Sequence, residues 1–275
     1  MTHAASKGKV DCFRALHQKG AAFLFPNFWD AGSARILEGL GFTALASTSS
    51  GFALAKGRSD YGVTREAAIA HSAEVAGCVD IPVAADLENG FGPRPEDCAV
   101  TIRDAARCGL CGGSIEDSIG DHRAPVFELS QAVERILASV EAAKAAAQGF
   151  VITARAEAFL YGDADLNEVI ARLRAFEEAG AEILFAPGLP DLDAVRTICS
   201  SVSAPVIVLI HGKLVKCSRE ELADAGAARI SLGGALAFDA YAAMVETART
   251  IKESGCFDAL KTRAPPAQGN RVVLA

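Results

Sequence analysis

Val83-Ala84-Ala85-Asp86-Leu87-Glu88-Asn89-Gly90-Phe91-Gly92 passes from a short apolar run into two acids at i and i+2, and then into a Gly-x-Gly turn. The run predicts a strand, and Arg94-Pro95-Glu96 just beyond it predicts a helix with proline well placed in its first turn. Side chains two apart on a strand point the same way, so Asp86 and Glu88 are expected side by side at its carboxyl end. Two carboxylates that close repel unless a proton or a cation lies between them. The glycines let the backbone turn sharply and approach a bound group. The stretch reads either as the rim of a hard-metal site or as a solvated acidic turn, and the rest of the chain has to decide.

The same strand-then-helix unit recurs on both sides. Upstream, apolar runs at 23–28 and 43–50 precede helices capped by Asp30 or Ser33 and by Thr64. Downstream, strands are expected at 112–116, 150–155, 182–186, 206–210 and 228–232. Helices are expected at 130–147, 166–179, after Asp191, from Ser218, and at 234–253. Eight strands alternating with helices predict an α/β fold of the (β/α)8 TIM-barrel type. A doubly wound sheet also alternates, but it usually carries a Gly-rich dinucleotide fingerprint after its first strand, and none is present. With no boundary visible, residues 1–255 are expected to form a single barrel domain and 256–275 a C-terminal tail.

The chain has 275 residues, half of them hydrophobic, and a formal charge of −7. That balance argues against nucleic acid or an anionic membrane surface as the partner. Residues 1–20 are polar and mixed in charge with no apolar signal core, and no stretch reads as a membrane span, so a cytoplasmic protein is expected. Eight scattered cysteines fit buried thiols in a reducing compartment. Cys108 and Cys111 have C-x-x-C spacing but no second ligand pair, so a structural role is expected.

In a barrel, chemistry collects at the carboxyl ends of the strands. Those ends carry Ser49, Ser50 and Gly51, then Asp86 and Glu88, then Glu116 and Asp117, then Arg155 and Glu157, then His211, with Asp60 in the loop after the second strand. Oxygen donors without a ring of imidazoles or thiolates suit Mg²⁺ (or Mn²⁺), which keeps several waters and binds few protein groups directly. Arg155 is a fork-shaped donor suited to a carboxylate or phosphonate. A metal beside an arginine is an arrangement for holding an α-keto or α-hydroxy acid and stabilising an enolate formed on it.

The series Ser50-Gly51-Phe52, Asp60, Asp86-Leu-Glu88-Asn-Gly-Phe-Gly92, Ile115-Glu116-Asp117 and Ala154-Arg155-Ala-Glu157-Ala-Phe159 resembles the isocitrate lyase/PEP mutase superfamily over about residues 20–255. The resemblance implies a barrel whose eighth helix swaps between subunits, in a dimer or a dimer of dimers (a homotetramer), and Mg²⁺-dependent chemistry at C–C or P–C bonds. By its pattern Asp86 would touch the metal, with Asp60, Glu88 and Glu116 acting through waters. Ser50, Gly51 and Phe52 would bind the substrate, and Arg155 its acidic group.

The loop after the fourth strand departs from that pattern. Lyases of the superfamily carry a cysteine there as acid; here residues 117–127 read Asp-Ser-Ile-Gly-Asp-His-Arg-Ala-Pro-Val-Phe, without one. Cys217 lies elsewhere and is expected to be structural. Ser118 stands where the mutase and phosphonopyruvate hydrolase pattern has lysine, which argues against P–C chemistry. His122 or Arg123 on the loop, or His211, is a candidate acid or clamp beside Arg155, Glu116 and Asp60. The leading expectation is a Mg²⁺-dependent carbon–carbon lyase or decarboxylase acting on a small 2-keto or 2-hydroxy di- or tricarboxylate. The alternatives are phosphonopyruvate-type chemistry, and a barrel that binds a keto acid with little turnover.

Overall fold

The computed structural model describes residues 5–120, 126–162 and 164–260. The nine strands are β1 (Phe23–Phe25), β2 (Asn27–Phe28), β3 (Leu45–Ser47), β4 (Val83–Asp86), β5 (Gly112–Glu116), β6 (Val151–Arg155), β7 (Ile183–Phe185), β8 (Val206–Leu209) and β9 (Arg229–Ser231). All pair in parallel, in the order β1-β9-β8-β7-β6-β5-β4-β3-β2. The helices are α1 (Lys7–Ala15), α2 (Ala31–Gly39), α3 (Ser49–Ala55), α4 (Arg65–Ala76), α5 (Pro95–Arg107), α6 (Leu129–Lys144), α7 (Leu166–Glu178), α8 (Leu192–Ser201), α9 (Arg219–Asp224) and α10 (Ala235–Ser254). This is the expected TIM-barrel architecture.

The ninth strand arises because the run at 23–28 is interrupted at Pro26, which has no N–H to give to a ladder. Its first half pairs with the last strand, Phe23 opposite Arg229, and its second half with the next one, Asn27 opposite Ala46. Asn27 bridges the seam: its Nδ2 donates to the Ser47 carbonyl at 3.0 Å, while its Oδ1 accepts from Ser231 Oγ and the Leu232 amide, both at 3.1 Å.

Parallel strands bury both faces, and two apolar layers result. Outward side chains such as Leu45, Ile115 and Ile152 pack under the helices. Inward ones, Phe25, Ala44, Val151, Ile183 and Ile207, meet Val10 and Phe13 of α1. The polar, charge-mixed reading of residues 1–20 misses this helix. Its Ser6 cap and two buried residues are too few for a periodic signal, yet they close the bottom of the barrel.

The reading of 43–50 as one strand also needs correction. Thr48 caps α3, accepting from the Gly51 amide, so Ser49 and Ser50 open a helix instead of ending a strand. The caps expected at Asp30, Thr64 and Asp191 all form. The last helix, α10, has one buried residue, Ala237, among its 20, and it exposes Phe238, Met244 and Val245. No helix among the described residues is long and apolar enough to cross a membrane.

Candidate active site

A cavity of about 160 Å³ opens at the carboxyl end of the barrel, lined among others by Ser49, Ser50, Asp60, Asp86, Thr153, Arg155 and Arg229. Asp86, the last residue of β4, is its hub. Its amide donates to Ser47 Oγ at 2.8 Å, its Oδ2 accepts from Ser49 Oγ at 3.0 Å, and its Oδ1 accepts from Arg155 Nη1 at 2.9 Å.

Glu88 reaches the neighbourhood by a different route from the one alternation predicts. The strand stops at Asp86, and Glu88 sits in the left-handed region at φ +48°, buried behind Asp86. Burial, then the charges of Asp86 and Asp60, push its carboxyl up to about 8. A non-glycine residue held there marks a turn over-determined by its surroundings. Part of that restraint is Arg135 of α6, fully buried over the Phe127 ring, whose guanidinium donates to the carbonyls of Gly92 (2.7 Å) and Asn89. The Gly-x-Gly pair gives the start of α5 room to dock. A Cβ on Gly90 would lie 2.7 Å from Cys98 Sγ, and one on Gly92 would lie 2.4 Å from Asp97 Oδ2.

Arg155, at the end of β6, is held by three acids: Asp86, Glu116 Oε2 at 3.3 Å, and Glu157 Oε1 at 2.8 Å from its Nε. Nη2 stands outside these contacts. Glu116 and Glu157 are almost fully buried, and burial together with their neighbours raises both above the ordinary carboxylate range, against the pull of Arg155. The Tyr61 hydroxyl donates to Glu116, and Ser118 Oγ lies 2.5 Å from the Tyr161 hydroxyl. These two tyrosines were not anticipated, because neither belongs to a strand end.

Asp60, Asp86, Glu88, Glu116, Ser50 and Arg155 thus come together. Ser50, Asp60, Asp86 and Arg155 line the cavity, and Glu88 and Glu116 lie beside it; three other expectations stand apart from this group. The Gly51 amide is committed to the Thr48 cap, and a Cβ there would strike Thr48 Cγ2 at 2.6 Å, so its glycine answers packing. Phe52 is buried in a stack on His71, with ring centroids 3.9 Å apart. His211, two residues beyond β8, is exposed and does not line the cavity. His122 and Arg123 lie outside the described residues. All eight cysteines are free, and burial pushes the Cys108 and Cys111 thiols up to about 11, fitting structural roles.

Among the described residues no three His, Cys, Asp or Glu side chains are placed as direct ligands of one metal ion. The donor set still fits a hydrated hard cation. Two carboxylates, Asp60 and Asp86, line the cavity, with Glu88 and Glu116 buried beside them, a set from which a cation that keeps several waters takes few direct ligands. Burial is the first cause of the raised Glu88 carboxyl, and the charges of Asp86 and Asp60, which such a cation would offset, come after it.

Comparison with known proteins shows which family this parallel α/β barrel belongs to. The phosphoenolpyruvate phosphomutase family matches residues 13–252, and the chain belongs to that family. A protein from Burkholderia cenocepacia J2315, provisionally described as a lyase/mutase, is 43% identical over 98% of this chain and 96% of its own, with a TM-score of 0.93. A 2-methylisocitrate lyase of Shewanella oneidensis is 30% identical over 70% of this chain and 68% of its own length. An oxaloacetate decarboxylase of Ectopseudomonas mendocina is 27% identical over 88% and 82%. Superfamily members are lyases or mutases.

Proposed function

We propose that the protein is a Mg²⁺-dependent (or Mn²⁺-dependent) carbon–carbon lyase acting on a small 2-keto or 2-hydroxy acid. The observation that carries this reading is Asp86, facing the cavity with Arg155 bonded to it and hydroxyls of Ser49 and Ser50 alongside. Asp86 would hold the cation directly, and Asp60, Glu88 and Glu116 would hold its waters. When bound, the cation supplies Lewis acidity at the α-oxygen of the substrate.

Arg155 offers Nη2 to the substrate carboxylate while Glu116 and Glu157 fix its plane. The Ser50 hydroxyl, 3.1 Å from Thr48 Oγ1, orients toward the same end. Tyr61, bonded to Glu116, supplies a hydroxyl able to pass a proton where the loop lacks a cysteine. Phosphorus–carbon chemistry gains no support, since Ser118 is fully buried and engaged with Tyr161 instead of offering a cation.

The test is a ¹H NMR panel of oxaloacetate, 2-methylisocitrate, dimethylmalate and phosphonopyruvate with Mg²⁺. One carbon–carbon substrate should be consumed, EDTA should stop its consumption, and added Mg²⁺ should restore it. Turnover unchanged in EDTA would sink the metal assignment, and silence across the panel would favour a keto-acid-binding barrel.

The exposed face of α10 further supports assembly with a second copy. Beside its first turn an apolar groove of about 450 Å³, lined by Trp29, Ile36, Leu37, Leu40 and Leu236, lies open next to α2. Swapping of α10 between subunits would cover both surfaces. Light scattering on the full chain is expected to give a dimer or tetramer mass; a monomer at micromolar concentration would refute the swap.

A further inference from the structure

Below the rim, the cavity reaches a second arginine that no ion pair explains. Arg229, the first residue of β9, points into the barrel and is 6% exposed. None of the ion pairs among the described residues includes it. Its guanidinium lies over the Phe25 ring at 4.0 Å, and its Nη1 is 3.2 Å from His17 Nε2. His17 is held neutral: burial, then Arg229 itself, push its pKa down to about 3. With Nδ1 donating to the Phe13 carbonyl at 2.9 Å, Nε2 is left as a plain acceptor. The Arg229 Nε–H has no hydrogen-bond partner.

A charged donor buried without a counter-ion is costly, and most such groups are paired. Burial, then the charge of Arg155, lower the pKa of Arg229 to about 9, so the group remains a cation at neutral pH. Thr153 stands on the inward face of β6 two residues before Arg155, lines the same cavity, and makes no hydrogen bond through its hydroxyl among the described residues. The small side chains of Ala46 and Ala84 leave the space between floor and rim open.

We infer that the cavity floor is a second carboxylate site, in which Arg229 and Thr153 hold the far carboxylate of a keto or hydroxy diacid whose keto-acid end lies at Asp86 and Arg155. This rests on the keto-acid reading of the rim and adds to it a residue that selects diacids over monoacids.

The experiment is calorimetric titration of the Mg²⁺-loaded full chain with pyruvate and with 2-oxoglutarate or oxaloacetate, whichever of the two diacids binds more tightly. The diacid should bind at least about 10-fold more tightly than pyruvate, as expected for a hydrogen bond to a charged group. In Arg229→Met that preference should fall to within about threefold, and Thr153→Val should reduce it several-fold. Circular dichroism and melting temperature establish that each variant is folded, and a purely structural Arg229 would leave the preference unchanged. A preference absent from the native protein, or retained in both variants, overturns the inference. Should Arg229→Met fail to fold, the isosteric Thr153→Val decides alone. If the native protein binds neither pyruvate nor diacid, it is the rim reading that fails.

Discussion

Asp86→Asn should abolish turnover of whichever substrate the protein accepts, lowering kcat/KM on the order of 10³-fold, the scale seen when one preorganised electrostatic partner of a reacting centre is removed. The substitution keeps the shape of the side chain and its contacts with Ser47 and Ser49, so the melting temperature should move little. What it removes is the single carboxylate that both faces the cavity and pairs with Arg155. Steady-state kinetics across a Mg²⁺ titration would show the loss in affinity for the cation as well as in rate. Cys217→Ser is the matching control: the thiol is half-buried after β8, outside the cavity, and activity should persist. Activity retained in Asp86→Asn and lost in Cys217→Ser would move the catalytic centre elsewhere.

Arg155→Met should be the more damaging change to the fold. It leaves Glu116 and Glu157 at 3% and 1% exposure with no cation between them. Removing one partner of a buried pair typically costs about 3–5 kcal/mol, largely as the penalty on the charge left behind. A denaturant midpoint should report that loss, and the double variant Arg155→Met/Glu157→Gln should recover part of it, because one of the stranded charges is gone. Affinity for a keto acid should fall by a further 2–5 kcal/mol, roughly, where the clamp is desolvated. A variant as stable as the native protein would mean that the three acids are already protonated or hydrated without the arginine.

The alternation of strand and helix was legible because it depends on local periodicity and on caps such as Thr64 and Asp191, which act within one turn of their own helix. The acids were legible because each lies within a residue or two of a strand end. What escaped depends on residues far apart in the chain. Arg135 fixes the turn after Asp86 from more than forty positions downstream, and no local pattern distinguishes it from a surface arginine on an amphipathic helix. Arg229 carries no signal of its role either, being one charged residue in a short strand with Ile230 and Ser231. Gly51 was expected from the resemblance to bind the substrate, and Gly90 and Gly92 to let the backbone turn and approach a bound group; the packing need at each was not legible, Thr48 and α10 in the first case and the start of α5 in the other two. Glu88 reached its expected place by a positive φ and not by strand alternation.

The break at Pro26 has a consequence for how the chain is made. Phe23–Phe25 emerges early in synthesis, yet its ladder partner, Arg229–Ser231, follows some two hundred residues later. Closure through Asn27 needs both Ser47 and Ser231, so it cannot form on a nascent chain that has not reached the last strand. Pairings of such long sequence separation come late and slowly, and until then an open strand edge faces solvent. The seam at Pro26 must therefore wait, with β1 lacking its ladder partner, until the ribosome has delivered β9.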